Sequence, residues 1–479
     1  MKYWYEDADS DRHGIPRQRN PLDDPAGQLA QMAADTCFDD LPADDVDMMK
    51  KCTLDALGCL IGGSSQRSVP DVAEAIRKRW GGKGDSPVLV YGFTAPAAEA
   101  AIVNGTMARA LDFGDVHNTG GHISEYILPT LLTGLSLADG KKISGKEFIT
   151  AFIVGAEWTA RQHTACRFQY HPLGMPGACA WAGTTPALAK LLGLGKEEIW
   201  NAMGFSYTAH SIGEQEKVFE GCDSQRIHHG LFAANSVFAV ELARSGLTAA
   251  HAIYYGDCGM FRYIGWDDLE PEMLTRDLGT YWHWKDGLMM KPFASCKFTH
   301  CVVSATLKLR EKYAISYRDV EKIRCIVARN AGPCIQENRW HPETAGEAMF
   351  SIPYAVAHAI MRGDVFLDAF EEAELKDAEK NAFMQRIEVE ISDDPSIGIF
   401  DGYTTEIYMK DGAVYRMKET DVLGGMTCPL SWEQIEAKYW KCVPYAAREV
   451  SQKKLEKIVY LCRHLEDVED MNDLLGCLV

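Results

Sequence analysis

The 479-residue chain is short of positive charge: 49 Lys and Arg stand against 68 Asp and Glu, leaving a net charge of -19. That excess disfavours nucleic acid and anionic membrane surfaces, which would add negative charge to a negative field. No apolar run approaches the roughly 20 residues needed to cross a bilayer, so no membrane partner is expected. Fifteen cysteines are scattered between Cys37 and Cys477 without one CxxC pair, which fits neither a zinc ribbon nor a disulfide framework. Walker loop, dinucleotide fingerprint and HExxH are all missing. The N-terminal MKYWYEDADSDRHG is acidic and has no apolar core, so no signal peptide is expected, and reduced thiols in a cytoplasmic protein are.

What is present describes an ordinary globular chain, 47% hydrophobic and 24% charged, long enough for a large core. Residues 1–25, interrupted by Pro16, Pro21 and Pro25, read as an extended arm. Helical periodicity begins at Ala26 and continues through stretches at Val69 to Trp80, Ala95 to Leu111, Tyr126 to Ala138, Gly145 to Thr164, Trp181 to Leu192, Lys196 to Ser211, Gly230 to Ser245 and Ala249 to Tyr254. After about Lys285 strand patterns enter at Ile323 to Val327 and Ile387 to Ile391. A hairpin is signalled by Asp411-Gly412 between Glu406 to Met409 and Val414 to Met417. Helices are expected at Thr299 to Tyr313 and Ala345 to Met361, and from Leu430 the pattern is helical again. The expected fold is mainly α: an all-helical domain from 26–286 and 428–479, with a smaller α+β domain, 287–427, inserted.

Chemistry concentrates in residues 110–130, ALDFGDVHNTGGHISEYILPT. Between Asp112 and His122 lie two acids, two histidines and three glycines, counting both ends. Gly120 and Gly121 can adopt backbone angles that fold the chain back, so that Asp112 and His122 face one space. Ser124 occupies an N-cap position, which would aim the positive end of the next helix at that space. The bland alternatives are an Asp112 that bonds a backbone amide and a His122 satisfied in the core. Elsewhere, His171 opens HPLGMPGACA, SQRIHHG places Arg226, His228 and His229 just before a helix, and KPFASCKFTH carries Lys291, Cys296, Lys297 and His300. Tyr354 follows Pro353 on a helix. A solvated loop or basic patch is the simpler account of the first three, and a core tyrosine of the fourth. Cys296, His300 and Cys301 match no zinc spacing, and no metal is expected.

Six ordered segments, LDALGCLIGG, PAAEAAIVNGTMARALDF, HISEYILPTLL, KPFASCKFTH, FSIPYAVAHAI and CPLSWEQIEAKY, resemble the MmgE/PrpD family of 2-methylcitrate dehydratase and cis-aconitate decarboxylase. The resemblance implies a helical core built from two chain segments, an α+β lid, a homodimer, and catalysis without metal or organic cofactor. It places Asp112, His122, His171 and Tyr354 in a catalytic set, and Lys291 and Cys296 beside the substrate. It also marks two departures: Val116 where family decarboxylases carry Thr, and Gln225 where they carry Lys. The function implied is a cofactor-independent lyase, a dehydratase or decarboxylase of a small di- or tricarboxylate. Lys291, Arg226 and the helix end near Ser124 would hold carboxylates, with Gln225 alongside. His122, oriented by Asp112, would move the proton, and His171 or Tyr354 would serve the other face or the leaving group. Epimerisation of a dicarboxylate, or carboxylate binding without turnover, are the alternatives.

Overall fold

Small residues on helix faces let backbones approach, and the central crossing of the fold depends on that. A Cβ added to Gly105 would lie 2.7 Å from Gly230 Cα, so the Ala97–Arg109 and Ser224–Arg244 helices touch backbone to backbone. The computed structural model describes residues 23–119, 121–167, 177–209, 216–264, 269–420 and 422–479. Around this crossing pack the Ala43–Gly63, Ser124–Gly134, Gly145–Cys166, Gly177–Leu191 and Lys196–Ala209 helices. The chain is mainly helical, and among the described residues no helix is long and apolar enough to cross a membrane.

Buried apolar side chains form two clusters. One runs from Ala26 to Met290 and resumes from Leu430 to Leu478. The other runs from Ala294 to Val422 and recruits Cys59, Leu111, Phe113, Val218 and Cys442. The second cluster lies against a four-stranded sheet in the order Ile387–Ser392, Val320–Ala328, Tyr403–Met409, Val414–Glu419, the first pair parallel and the others antiparallel. The His300–Lys312 and Ile352–Arg362 helices pack on it. The Asp411-Gly412 hairpin forms as expected, with Met409 N donating to Ala413 O at 2.8 Å. The last part of the chain returns to the turn at 110–123. Lys438, on the Trp432–Cys442 helix, pairs with Asp55 at 2.6 Å and donates to Phe113 O at 2.7 Å.

Local chemistry explains where elements differ from expectation. The helix expected over Ala345 to Met361 is two, Ala345–Met349 and Ile352–Arg362, because Ser351 Oγ caps the second by accepting from Tyr354 N at 3.0 Å. The Ser224–Arg244 helix begins earlier than Gly230, so Arg226, His228 and His229 lie within its first turns. Residues 249–254 are irregular chain ending in a turn, not helix. Asp24 and Pro25 leave the expected arm: Asp24 accepts from Ala26 N at 3.0 Å and from Tyr255 N at 2.7 Å, opening the Pro25–Asp35 helix.

Candidate active site

An antiparallel ribbon that the sequence pattern did not signal delivers the site. Strand Asp115–His117 pairs with Leu288–Met290, Asp115 opposite Met290, and so brings Lys291 beside the turn at 112–114. Asp112 sits at φ 47°, in the left-handed region that Asp tolerates better than most side chains. Lys291 Nζ holds it there, donating to Asp112 O at 2.7 Å while lying 3.0 Å from its Oδ2. Arg109 Nη1 pairs with Asp112 Oδ1 across i,i+3 and lies 3.2 Å from Glu125 Oε2. Gly114 N donates to Glu125 Oε1 at 2.9 Å. All four charged side chains are buried.

His122 is the most open member, its side chain 14% exposed. Its Nδ1 lies 2.7 Å from Asp115 O. A carbonyl only accepts, so the imidazole carries its hydrogen on Nδ1 and presents a lone pair at Nε2. Asp112 Oδ1 is 3.8 Å from that Nε2, and Glu125 Oε2 is 3.3 Å from Nδ1. The orienting acceptor is therefore the Asp115 carbonyl, which corrects the expectation that Asp112 plays this part. A second histidine, His229, approaches from the Ser224–Arg244 helix, its Nδ1 3.6 Å from Glu125 Oε2 and its ring 5.7 Å from that of His122.

The helix end near Ser124 is already taken. The first helical residue is Ser124 itself, and its N–H faces both Asp115 carboxylate oxygens at 3.1 Å, with Ile123 N at 3.4 Å. Asp115 satisfies those amides, so they are not the substrate anion site that the sequence suggested. Gly121 is needed for space: a Cβ there would fall 1.9 Å from His163 Cε1. Gly121 O accepts from His117 N at 2.7 Å, closing the turn. Gly120 lies outside the described residues.

Burial and ion pairing push the titrating groups apart. Burial opposes the charge on Asp112, yet Lys291 and Arg109 outweigh it and hold the carboxyl well below its usual range. Burial wins at Glu125, pushing it up to about 7 against the same two cations, and at Asp115, pushed up to about 6 against the Ser124 amide. Burial, reinforced by Arg109 and Lys291, holds His122 neutral, far below the usual imidazole range. His229 is held down by burial, then by His228 and Arg109. Two cations thus face one firmly ionised carboxylate, with the neutral imidazoles of His122 and His229 beside them. The surplus is positive and invites an anion.

Of the residues expected from sequence, the structure brings Asp112, His122 and Lys291 together. Cys296 is buried close to them: burial raises its thiol, yet Cys334 and the Lys291 charge, against Asp112, bring it below its ordinary range. Gln225 is buried with no hydrogen-bond partner for its Nε2 among the described residues. Arg226 is buried and donates to Arg67 O at 3.1 Å. Tyr354 is not brought to the cluster, a correction with a clear cause. Its hydroxyl donates to Ala369 O and accepts from Lys380 Nζ at 2.8 Å, inside the second apolar cluster. His171 lies outside the described residues. Val116 stands in the ribbon opposite Met289, 6% exposed. Sequence reasoning overlooked Arg109, Asp115 and Glu125 as members of the site. An arginine on a helix of small apolar residues, three positions before Asp112, was the available signal. Among the described residues no three His, Cys, Asp or Glu side chains form a metal-holding group.

Comparison with known proteins gives a consistent assignment. A model of the MmgE/PrpD N-terminal domain matches residues 27–271, and one of the MmgE/PrpD C-terminal domain matches residues 293–463. The chain is similar to the cis-aconitate decarboxylase-like protein oryM of Aspergillus oryzae, 26% identical over 469 residues, covering 92% of this chain and 94% of that protein. It is also similar to the cis-aconitate decarboxylase of Homo sapiens, 25% identical over 394 residues and covering 79% of each chain. The cis-aconitate decarboxylase of Mus musculus is 26% identical over 399 residues, covering 80% of this chain and 78% of the mouse protein.

Proposed function

The chain belongs to the MmgE/PrpD family, and from that premise we propose that it is a lyase that removes carbon dioxide or water from a small di- or tricarboxylate. The observation that carries this reading is the pairing of a neutral His122, its Nε2 lone pair unclaimed by any hydrogen bond among the described residues, with the positive surplus of Arg109 and Lys291. In a dehydration His122 Nε2 takes the proton from the carbon next to a carboxylate, Asp112, 3.8 Å away, stabilises the imidazolium, and the hydroxyl on the adjoining carbon leaves as water with the Glu125 proton. In a decarboxylation the bond to the departing carboxylate breaks, carbon dioxide leaves, and the electron pair left on carbon takes the Glu125 proton. Arg109 and Lys291 offset the negative charge that builds on the substrate carboxylate. Glu125, pushed up to about 7 and near both His122 and His229, is the proton reservoir for the return step. No organic cofactor is required by this sequence of proton transfers.

Similarity to cis-aconitate decarboxylases supports trying cis-aconitate first. Val116 and Gln225 lack the hydroxyl and the cation that the family resemblance implies at those positions, which favours an acid of somewhat different shape. His229, a second neutral imidazole, supports one other reading: two bases on opposite faces of a carbon would epimerise it. The same proposal includes a cytoplasmic homodimer, with Leu231, Phe238 and Leu242 forming the apolar face that meets a second copy, at 48%, 55% and 38% exposure. It also includes movement of 287–427 as a lid. The test is incubation with cis-aconitate, citrate and 2-methylcitrate in deuterated water. Loss of carbon dioxide or water supports the lyase, deuterium entry with neither supports the epimerase, and the absence of product and of deuterium entry with all three overturns both.

A further inference from the structure

Lys297 follows Cys296 in sequence yet takes no part in the cluster around Asp112. It is 3% exposed, and its ammonium has no hydrogen-bond partner among the described residues. Burial pulls it down to about 8. The nearby groups do not compensate it. Lys291 already holds Asp112. Cys301 is kept as a thiol, pushed up to about 12 by burial, and its Sγ donates to Phe400 O at 2.9 Å. A buried cation without a counter-charge costs stability unless a partner arrives.

Lys297 lines a cleft of about 390 Å³, whose other walls include Asn118, Phe400, Asp401, Thr420 and Met426. That volume suits a small organic acid. None of Arg109, Asp112, His122, Glu125 or Lys291 lines it. Asp401 and Thr420 on the same wall narrow the chemistry further. A carboxylate oxygen accepts a hydroxyl hydrogen, so a ligand that carries a hydroxyl beside its carboxylate suits this wall.

We propose that this cleft is a second acid-binding site, taking a small hydroxycarboxylate whose carboxylate pairs with Lys297 and whose hydroxyl donates to Asp401. The acid is either an independent ligand or the far end of the molecule that the Asp112 cluster holds.

The experiment is calorimetric titration of the full chain with tartronate, a hydroxydicarboxylate with no β-hydrogen to lose in a dehydration. Binding is scored without turnover, so the result is independent of the lyase reading. Lys297→Met is expected to weaken tartronate by about tenfold or more, and Lys297→Arg by no more than about threefold. Met426 lines the same cleft and is 48% exposed, so substitutions there are expected to leave the fold intact. Met426→Glu should weaken tartronate and Met426→Lys should tighten it. Arg109→Lys separates the two sources: affinity kept in that variant marks an independent acid, and affinity lost with it marks one molecule spanning both places. Tartronate that fails to bind the wild type, or that binds Lys297→Met and both Met426 variants as it binds the wild type, overturns the proposal.

Discussion

Lys291 grips Asp112 at two points, its ammonium 3.0 Å from Oδ2 and 2.7 Å from the backbone carbonyl of the same residue. One side chain thus neutralises a buried carboxylate and fixes a left-handed backbone position, φ 47°, where strain of about 1–3 kcal/mol is ordinarily stored. Lys291→Met leaves Asp112 with Arg109 alone. It should cost about 3–5 kcal/mol, the usual penalty for breaking a buried pair. Adding Asp112→Asn, which removes the stranded charge and still tolerates the left-handed angle, should recover a large part of that. Urea unfolding of both variants checks the expectation, and a double variant no more stable than Lys291→Met would contradict it.

Glu125 makes stability depend on pH in a defined direction. Its native value, about 7, lies above the ordinary glutamate value of 4.5, so the folded chain holds that proton more tightly than the unfolded chain does. The associated stability is complete below about 4.5 and is lost as pH rises through 7. Glu125→Gln has no proton to lose. Relative to the wild type it should therefore gain on going from pH 5 to pH 8, by up to about 3 kcal/mol at 1.36 kcal/mol per unit. Melting both proteins across that range gives the measurement, and a difference in Tm that does not change with pH would refute the assignment.

Tyr354 separates the geometry from the family resemblance. Its hydroxyl is engaged by Ala369 O and Lys380, away from His122. Tyr354→Phe is expected to lower stability by about 1–3 kcal/mol, the cost of unpairing buried partners, while kcat stays within about threefold of the wild type. A fall in kcat of about a hundredfold, without unfolding, would restore Tyr354 to the reacting centre.

At Gly121 the limit is space. A Cβ would sit 1.9 Å from His163 Cε1, against a packed ring. Gly121→Ala should destabilise by about 1–3 kcal/mol through overpacking. Because Gly121 and His122 are adjacent, it should lower kcat as well. Unaltered activity and Tm in that variant would show that the turn yields more easily than its packing implies.

The turn at 110–130 was legible because it compresses acids, histidines and glycines into one short stretch, and chemistry of that density stands out against helices of small residues. The helical segments were legible from periodicity, and the 411–412 hairpin from its turn dipeptide. The Asp115–His117 ribbon was not, since three residues per strand carry no alternation to read and the partner lies more than 170 positions away. That pairing is what carries Lys291 to Asp112. The role of Asp115 was hidden for a related reason: a carboxylate that caps a helix nine residues later looks in sequence like any other acid. Tyr354 misled because a motif fixes a position along the chain, while the direction of its hydroxyl depends on Lys380 and Ala369.

The central claim is that a neutral His122 moves a proton on a small acid held by the Arg109 and Lys291 charges. The most direct measurement compares wild type and His122→Ala with whichever polycarboxylate the wild type consumes, following deuterium entry by NMR in deuterated water. The wild type should place deuterium on the carbon beside a carboxylate. The folded His122→Ala protein should do so about 10² to 10⁴ times more slowly, the usual worth of a positioned base. Equal rates of deuterium entry in the two proteins would contradict the account.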